Sequence, residues 1–563
     1  MEREPWIWQD RYDHPAAWSQ TFGPLTLPEM LEASAARDPD APLIDFYGRR
    51  FTYGEVLACA RRFATGLAAL GIRKGDRVGL YLPNVPHYVA AYYGALMAGA
   101  VVVNFSPLYT VEELRHQAED SGTRLLVTVS ARQLYDTAAQ VLETGAVERL
   151  IVGSIAACLP PVKGLFYRLF KSGDDARPAQ ADKRILRFST VADGAPEQRL
   201  PRLDAEADLA LIQYTGGTTG RPKGAMLTHQ NLTANARQIN LVDPWSGQPD
   251  RIMGVLPFFH VFANASVLNR TIAHGGEIVM LPRFDAGQLL AAITRTQATS
   301  LPGVPTMFQA LLDHPRIGRA DLSSLRICIS GGAPLAMSLK EQFEARTGSR
   351  LVEGYGLTEC SGVATVNPYQ KTGKAGSIGQ PLPGTRIKLL DREDPSRTAK
   401  PGEPGEIAIA GPQVMRGYWR NAEADKDVFV HGYLRTGDVG AIDEDGYVRV
   451  VDRIKDMIAV GGFKVFPSEV EAVLYRHPAV REAVVIGVPD AYHGELPKAF
   501  VTLKAEEAGA IDGEALKSWL NPKLGKHERV SAVEIRERLP RTLVGKLSRK
   551  ELVAEERAKA QAD

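Results

Sequence analysis

Residues Leu209 to His229 read L-A-L-I-Q-Y-T-G-G-T-T-G-R-P-K-G-A-M-L-T-H, an apolar run that gives way to glycines, threonines and a lysine. The apolar part, Leu209 to Tyr214, predicts a buried strand entering a turn. Gly216, Gly217 and Gly220 let the backbone turn tightly and come close to a ligand where a Cβ would obstruct. Thr215, Thr218 and Thr219 add hydroxyl donors, and Lys223 a mobile cation. Successive N–H groups, hydroxyls and one ammonium make a cradle for phosphate oxygens, against the plainer reading of a Gly/Thr surface loop. The P-loop of nucleotide hydrolases is a different device. It needs Gly-Lys-Ser/Thr opening a helix, and here Pro222 precedes Lys223.

Outward from this stretch, helix and strand patterns alternate, which predicts an α/β fold with mainly parallel sheets. Thr52 caps a helix whose apolar positions Val56, Leu57, Ala60, Phe63, Ala64, Leu67 and Leu70 keep helical spacing, and Gly71 closes it. Arg77 to Leu82 reads as a strand, Thr110-Val-Glu-Glu113 as a capping box, and Leu125 to Val129 as the next strand. Val78 to Val111 carries no Asp, Glu, Lys or Arg, but Pro83, Pro86, Asn104 and Pro107 interrupt it. Its apolar run is short of the ~20 residues of a membrane span, so a buried helix ending near Gly99 and a core strand from Val101 are expected.

Cys158 to Lys171 stands apart. Leu165, Phe166, Leu169 and Phe170 cluster on one helical face, with Lys163, Arg168 and Lys171 around them. Both an interfacial membrane helix and a helix packed on its own domain fit that pattern. Ser172 to Ala181 predicts a mobile loop. After Pro401, short strands and turns lead into a smaller α+β unit. There Ser468-Glu-Val-Glu opens a helix through about Tyr475, and Ala483 to Val488 is a strand.

The 563 residues are too many for one core, so at least two domains are expected. A net charge of +1 gives no general attraction to nucleic acid or to anionic membrane. The four cysteines are scattered without metal-ligand spacing. With no secretory leader, they predict reduced thiols in a cytoplasmic protein.

Further motifs have chemical readings of their own. Gly331-Gly-Ala-Pro-Leu follows the strand Leu325 to Ile329, at the strand end where α/β folds bind ligands. Glu353-Gly-Tyr-Gly-Leu-Thr-Glu359 brings together an aromatic face, a hydroxyl and a carboxylate. Val261 to Leu268 and Gly303 to Phe308 are apolar, fit for an alkyl tunnel or equally for a core. Asp452-Arg-Ile-Lys-Asp456 by composition is a charged linker.

In this order the motifs resemble those of the AMP-forming acyl-CoA synthetases of the adenylate-forming superfamily, over about Leu27 to Leu552. Q-Y-T-G-G-T-T-G, E-G-Y-G-L-T-E-C, V-N-P-Y and G-P-Q-V-M-R-G-Y-W look most like bacterial long-chain fatty acid–CoA ligases, a branch that shares Gly216 where most relatives have Ser. The resemblance implies a large N-terminal domain of mainly parallel sheets with flanking helices (1–452), a hinge (453–458) and a small mobile α+β C-terminal domain (459–563). It implies that a fatty acid is ligated to coenzyme A through acyl-AMP, with ATP, Mg²⁺ and coenzyme A as the small molecules used and no nucleic acid.

The same resemblance assigns roles. Thr215, Gly216, Gly217, Thr218, Thr219, Gly220 and Lys223 would hold phosphates, and Gly331, Gly332 and Ala333 would line the adenine pocket with Glu353, Gly354 and Gly356. Tyr355 would stack on adenine, Thr358 would bind the α-phosphate and Glu359 would be the Mg²⁺ ligand. Asp438 would bind both ribose hydroxyls with Arg453 close by, Lys455 would be the swivel, and Gly461, Gly462 and Phe463 would lie near pantetheine. Lys546 would hold carboxylate and α-phosphate oxygens during adenylation, which also makes it a target for a lysine acetyltransferase. Pro257-Phe-Phe-His260 has His260 where amino-acid-activating relatives carry aspartate, so an amino acid substrate is disfavoured. Ala459 replaces a lysine of luciferases, and the tryptophan gate of some long-chain relatives is missing after His260. Ligases for medium-chain, dicarboxylic or aromatic acids are the rival reading, ahead of an adenylate-binding protein without catalysis. Monomer and homodimer both fit, as does peripheral contact with the inner face of a membrane.

Overall fold

The computed structural model describes residues 6–170, 173–176, 182–193, 200–215, 222–370, 373–461, 463–490, 492–504, 507, 509, 511–541 and 547–562, the side chains of 560–562 excepted. The chain divides into two compact units. The first comprises Met1–Ala375, Gly379–Arg386 and Ile409–Phe429; the second comprises Gly376–Ile378, Ile387–Ala408 and Val430–Asp563.

The first unit is the expected α/β architecture, with two large sheets among the described residues. The strand Leu209–Thr215 lies inside an eight-stranded sheet, parallel to Val101–Asn104 and antiparallel to Lys223–Thr228. Beyond Val101–Asn104 follow Arg77–Leu80, Thr123–Val129, Arg149–Gly153 and Ile185–Arg187, all in parallel pairs. The nine-stranded sheet has a parallel centre, from Pro42–Phe46 through Glu277–Met280, Arg251–Gly254, Ser300–Gly303 and Ile327–Ser330 to Arg350–Tyr355. Antiparallel strands edge it on both sides.

Local chemistry accounts for the helices. Capping boxes open Tyr53–Ala69 at Thr52/Glu55 and Val111–Ser121 at Thr110/Glu113, each satisfying amide donors that the first helical turn leaves unpaired. Gly71 follows the first of these helices at φ +85, a left-handed conformation that costs glycine nothing. The uncharged helix Pro86–Met97 is buried nearly all round, as a core helix in a two-sheet unit must be. Its Gly94 allows the approach to Tyr53–Ala69, since a Cβ there would come within 2.8 Å of the Ala60 carbonyl oxygen. No helix among the described residues is long and apolar enough to cross a membrane. The N-terminal residues are irregular but anchored. Trp8 is buried against Trp6 and Trp18, and the Trp18 indole donates to the Thr385 carbonyl at 2.7 Å.

The second unit carries two five-stranded sheets. In one, Tyr433–Ile442 pairs antiparallel with Val448–Arg453. In the other, Val480–Asp490 and Gly494–Leu503 form a long hairpin that Ala532–Ile535 joins in parallel. Its core gathers Ile458, Val465, Val470, Leu474, Val485, Val501, Leu516 and Leu520. The helix expected from Ser468 begins one residue earlier, at Pro467. Ser468 is no cap: its hydroxyl and N–H both donate to Asp452 at 2.8 Å. Most of Ser172 to Ala181, expected as a loop, lies outside the described residues.

Candidate active site

The quoted stretch folds as a hairpin. Tyr214 faces Gly224 and Thr215 faces Lys223 across the antiparallel pair. Gly216, Gly217, Thr218, Thr219 and Gly220 themselves lie outside the described residues. At the hairpin base the Thr215 hydroxyl donates to the Lys223 carbonyl at 3.4 Å.

Two distant segments meet Lys223. Tyr418, in a short strand that pairs with Lys223–Thr228, presents its ring 5.1 Å from the Lys223 ammonium. The same tyrosine donates its hydroxyl to the Glu359 carboxylate at 2.7 Å, and the Met415 N–H donates to the Glu359 carbonyl at 2.8 Å. Burial, and then the charge of Glu359, push the Tyr418 hydroxyl pKa far up, so it remains a donor. A cation, an aromatic hydroxyl and a carboxylate thus converge at the base of this hairpin. Beneath it Tyr214 donates to the Asp120 carboxylate, and the Trp419 indole donates to the Asp120 carbonyl at 3.1 Å.

The segment that delivers Glu359 is held by close backbone packing. A Cβ on Gly356 would lie 2.1 Å from the Gly362 carbonyl oxygen, so only glycine fits there. Thr358 starts a 3₁₀ turn through Cys360, and the Ala364 N–H returns to the Tyr355 carbonyl at 2.8 Å. Thr358 and the Tyr355 ring are half-buried. Tyr355 and Gly354 end a strand that pairs with Thr365–Val366, and Glu353 sits beside Ser330 on the neighbouring parallel strand.

From Ser330 the chain enters Gly331, Gly332 and Ala333, with Gly332 at φ +80. The Glu353 carboxylate accepts the Leu335 N–H at 3.2 Å and so ties this loop to the adjacent strand. Burial pushes the Glu353 carboxyl up to about 8, and the Leu335 amide and Lys340 offset only part of that. Phe262 packs on Gly331, where a Cβ would come within 2.9 Å of its ring.

His260 caps the short helix Val261–Ala263. Its Nδ1 accepts the Phe262 N–H at 3.3 Å, which leaves the neutral ring's proton on Nε2. The helix continues as a π-turn, Asn264–Asn269, then Arg270–His274. Of the two readings of Val261 to Leu268, the buried core describes Val261, Ala263, Ala265, Val267 and Leu268, while Phe262 is only half-buried.

A polar network missed in the sequence joins these parts inside the core. Asn104 donates to Gln213 at 3.1 Å, and the Tyr88 hydroxyl lies 2.8 Å from both the Asn104 side-chain oxygen and the Phe258 carbonyl, with one proton to give to either. Tyr92 reaches Asn264 at 3.2 Å and Tyr93 reaches Asn269 at 2.8 Å. Gln213 precedes the cradle and Phe258 precedes His260, so the network spans from the phosphate side to the histidine. A polar run inside a charge-free helix (Tyr88, Tyr92, Tyr93) was its only signal in the sequence.

The second unit holds the remaining residues. Asp438 and Arg453 face each other across an antiparallel pair and form an ion pair at 2.8 Å. Lys455 follows in the 3₁₀ turn Ile454–Asp456. Gly461 takes φ +55 and donates to the His493 carbonyl at 2.8 Å. Phe463 is exposed and stacks on His527 at 5.2 Å. Gly462 and Lys546 lie outside the described residues. The chain on either side of Lys546 is fixed: Arg541 and Leu547 form a β-bridge, and Arg549 pairs with Glu471 at 2.7 Å and with Asp456 at 3.6 Å.

Among the described residues no group of three or more His, Cys, Asp or Glu side chains could by itself hold a metal. The lone Glu359 carboxylate suits Mg²⁺ whose remaining ligands are phosphate oxygens and water, the usual state of a nucleotide-borne ion.

A family model described as AMP-binding enzyme matches residues 31–419, and one described as AMP-binding enzyme C-terminal domain matches residues 469–546. A long-chain-fatty-acid–CoA ligase of Bacillus subtilis is 39% identical over 560 residues, 99% of each chain. A feruloyl-CoA synthase of an Amycolatopsis species is 37% identical over 92% of this chain and 96% of its own. Among solved structures, ATP-bound MatB from Rhodopseudomonas palustris is similar with a TM-score of 0.82 and 31% identity, over 94% of this chain and 99% of that one.

Proposed function

The chain belongs to the AMP-binding enzyme family as an AMP-forming acid–CoA ligase, and from that premise we propose that it activates long-chain fatty acids, with the residues above in the following roles. The meeting of Lys223, Tyr418 and Glu359 beside the cradle carries this reading, because it gathers a cation, a donor and a metal-binding carboxylate where triphosphate oxygens would lie.

In the first half-reaction a carboxylate oxygen of the acid attacks the α-phosphorus and pyrophosphate leaves. Cradle amides and hydroxyls from Thr215 to Gly220, with Lys223, hold the phosphate oxygens. Lys546 balances charge on the carboxylate and the α-phosphate, beside Thr358. Glu359 would hold Mg²⁺, which would supply charge neutralisation for the phosphates. Tyr418 keeps the Glu359 carboxylate oriented through its hydroxyl. Gly331, Gly332, Ala333, Glu353, Gly354, Tyr355 and Gly356 hold the adenine, and Asp438 with Arg453 the ribose. His260 donates from Nε2 to the substrate carboxylate.

In the second half-reaction the coenzyme A sulfur attacks the acyl carbonyl carbon, the bond to AMP breaks, and Gly461, Gly462 and Phe463 line the approach. One site performs both steps because residues 459–563 turn about 453–458, with Lys455 as the pivot. Acetylation of Lys546 would remove its charge and stop the first step. Membrane contact, in this reading, is peripheral and at the inner face.

The test is pyrophosphate release and thioester formation across octanoate to oleate, with pimelate, benzoate and ferulate alongside. Highest kcat/KM on the long unbranched acids is expected. A preference for ferulate or benzoate would favour an aromatic-acid ligase, the reading that the similarity to a feruloyl-CoA synthase supports.

A further inference from the structure

Among the described residues twelve large apolar side chains are exposed, and five of them, Val162, Leu165, Phe166, Leu169 and Phe170, stand on the single helix Pro161–Phe170. Their spacing of i, i+3, i+4, i+7 and i+8 makes one continuous stripe. On an ordinary surface helix such a stripe faces the core. Here it faces outward, with each of the five between 56% and 76% exposed and the Phe166 and Phe170 rings stacked at 5.7 Å.

The helix is held from its opposite side. Gly164, its buried residue, packs where a Cβ would come within 2.7 Å of the Ala156 carbonyl oxygen, so the contact is backbone against the turn Ile155–Cys158. Lys163 donates to the Tyr47 carbonyl at 3.0 Å, and Arg49 donates to the Ala157 carbonyl. The sequence P-V-K-G-L-F-Y-R-L-F has Lys163 and Arg168 as its charges and no carboxylate; the next acids in the chain are Asp174 and Asp175. Two copies meeting through this stripe would set like charges against each other, whereas an anionic lipid surface matches both the cations and the apolar stripe.

We propose that Pro161–Phe170 docks the protein on an anionic phospholipid surface, with the stripe entering the acyl boundary and Lys163, Arg168 and Arg49 meeting headgroup phosphates. This deepens the long-chain ligase reading, on which it rests. A long-chain acid partitions into the bilayer, and an enzyme adsorbed there meets it at a raised local concentration.

The full chain is to be sedimented with vesicles of phosphatidylcholine alone and of phosphatidylcholine with phosphatidylglycerol, without acid or ATP. Binding to the phosphatidylglycerol vesicles is expected. Leu165→Gln/Phe166→Gln/Leu169→Gln should lower it about tenfold or more, and Lys163→Gln/Arg168→Gln should reduce its salt sensitivity. Pyrophosphate release with octanoate, a soluble acid, should be unchanged in both variants, which shows that they are folded. Equal sedimentation of wild type and triple variant, or no binding of the wild type, overturns the proposal. So does a dimer in light scattering that the triple variant dissociates, which assigns the stripe to a second copy. Vesicle binding retained beside a preference for aromatic acids would remove the long-chain reading and leave the docking surface standing.

Discussion

Around Lys223 the contacts that fix the site run through the interior: Gln213, Asn104, Tyr88 and the Phe258 carbonyl are all buried and hydrogen-bonded in series. Around Asp438 they reach solvent, since the Arg453 side chain that pairs with it is 48% exposed. A buried polar network cannot exchange partners without leaving a donor or acceptor unpaired, at about 1–3 kcal/mol each. A half-exposed ion pair is worth about 0–1 kcal/mol and can be given up for another partner. The first region therefore suits residues that must hold one geometry through both half-reactions, and the second suits residues used in one half-reaction and released in the other.

The largest expected effect tests the second region. Lys546→Ala should cut single-turnover acyl-AMP formation by about 10²–10³-fold while CoA transfer from supplied acyl-AMP stays nearly intact. Equal loss in both assays would erase the contrast. Glu359→Gln belongs to the first region. It keeps the shape that Tyr418 contacts but removes the charge a hard cation needs, so the Mg²⁺ concentration for half-maximal adenylation should rise about tenfold or more. An unchanged Mg²⁺ dependence would place the metal ligand elsewhere. Lys455→Pro fixes φ near −65° and restricts Ile454 before it. The two half-reactions should then fall unequally, adenylation surviving better; parallel loss in a folded protein would move the pivot to a neighbouring residue.

Tyr88→Phe removes the hydroxyl that lies between the Asn104 side chain and the Phe258 carbonyl, and should cost about 1–3 kcal/mol in urea unfolding. A variant as stable as the wild type would show that the network is not the fixed frame described above. A pH-dependent effect concerns Glu353. Burial pushes its carboxyl up to about 8 in the folded state, against ~4.3 unfolded, so between those values the folded state binds more protons and stability falls as pH rises. Glu353→Gln should flatten that decline from pH ~5 to ~8, measured by denaturant midpoints across the range.

The sequence made local devices legible. Thr52 and Thr110 with their glutamates three residues on, the glycines of the cradle, and the uncharged helix near Tyr88 all declare themselves within a few residues. Pairings between distant segments carried no such mark. Nothing near Glu359 points to Tyr418, and nothing near Gln213 points to Asn104, because register between non-adjacent strands is set by the whole sheet. The helix Pro161–Phe170 shows the limit most clearly: its periodicity disclosed an apolar stripe but not which way the stripe would turn. Gly164 decides that, by letting the opposite side lie flat on Ala156.

The short strand Gly417–Tyr418 also sets an order of events during synthesis. Lys223–Thr228 is bordered on one side by Leu209–Thr215 and on the other by Gly417–Tyr418. A ribosome adding about 5–20 residues per second makes Tyr418 roughly 10–40 s after Lys223. Through that interval the nascent hairpin has an unpaired edge of N–H and C=O groups, a template for pairing with another chain. The last strand to join the sheet is thus also the one that brings Tyr418 to Glu359, so the nascent chain covers this edge and assembles the Lys223, Tyr418 and Glu359 cluster in the same step.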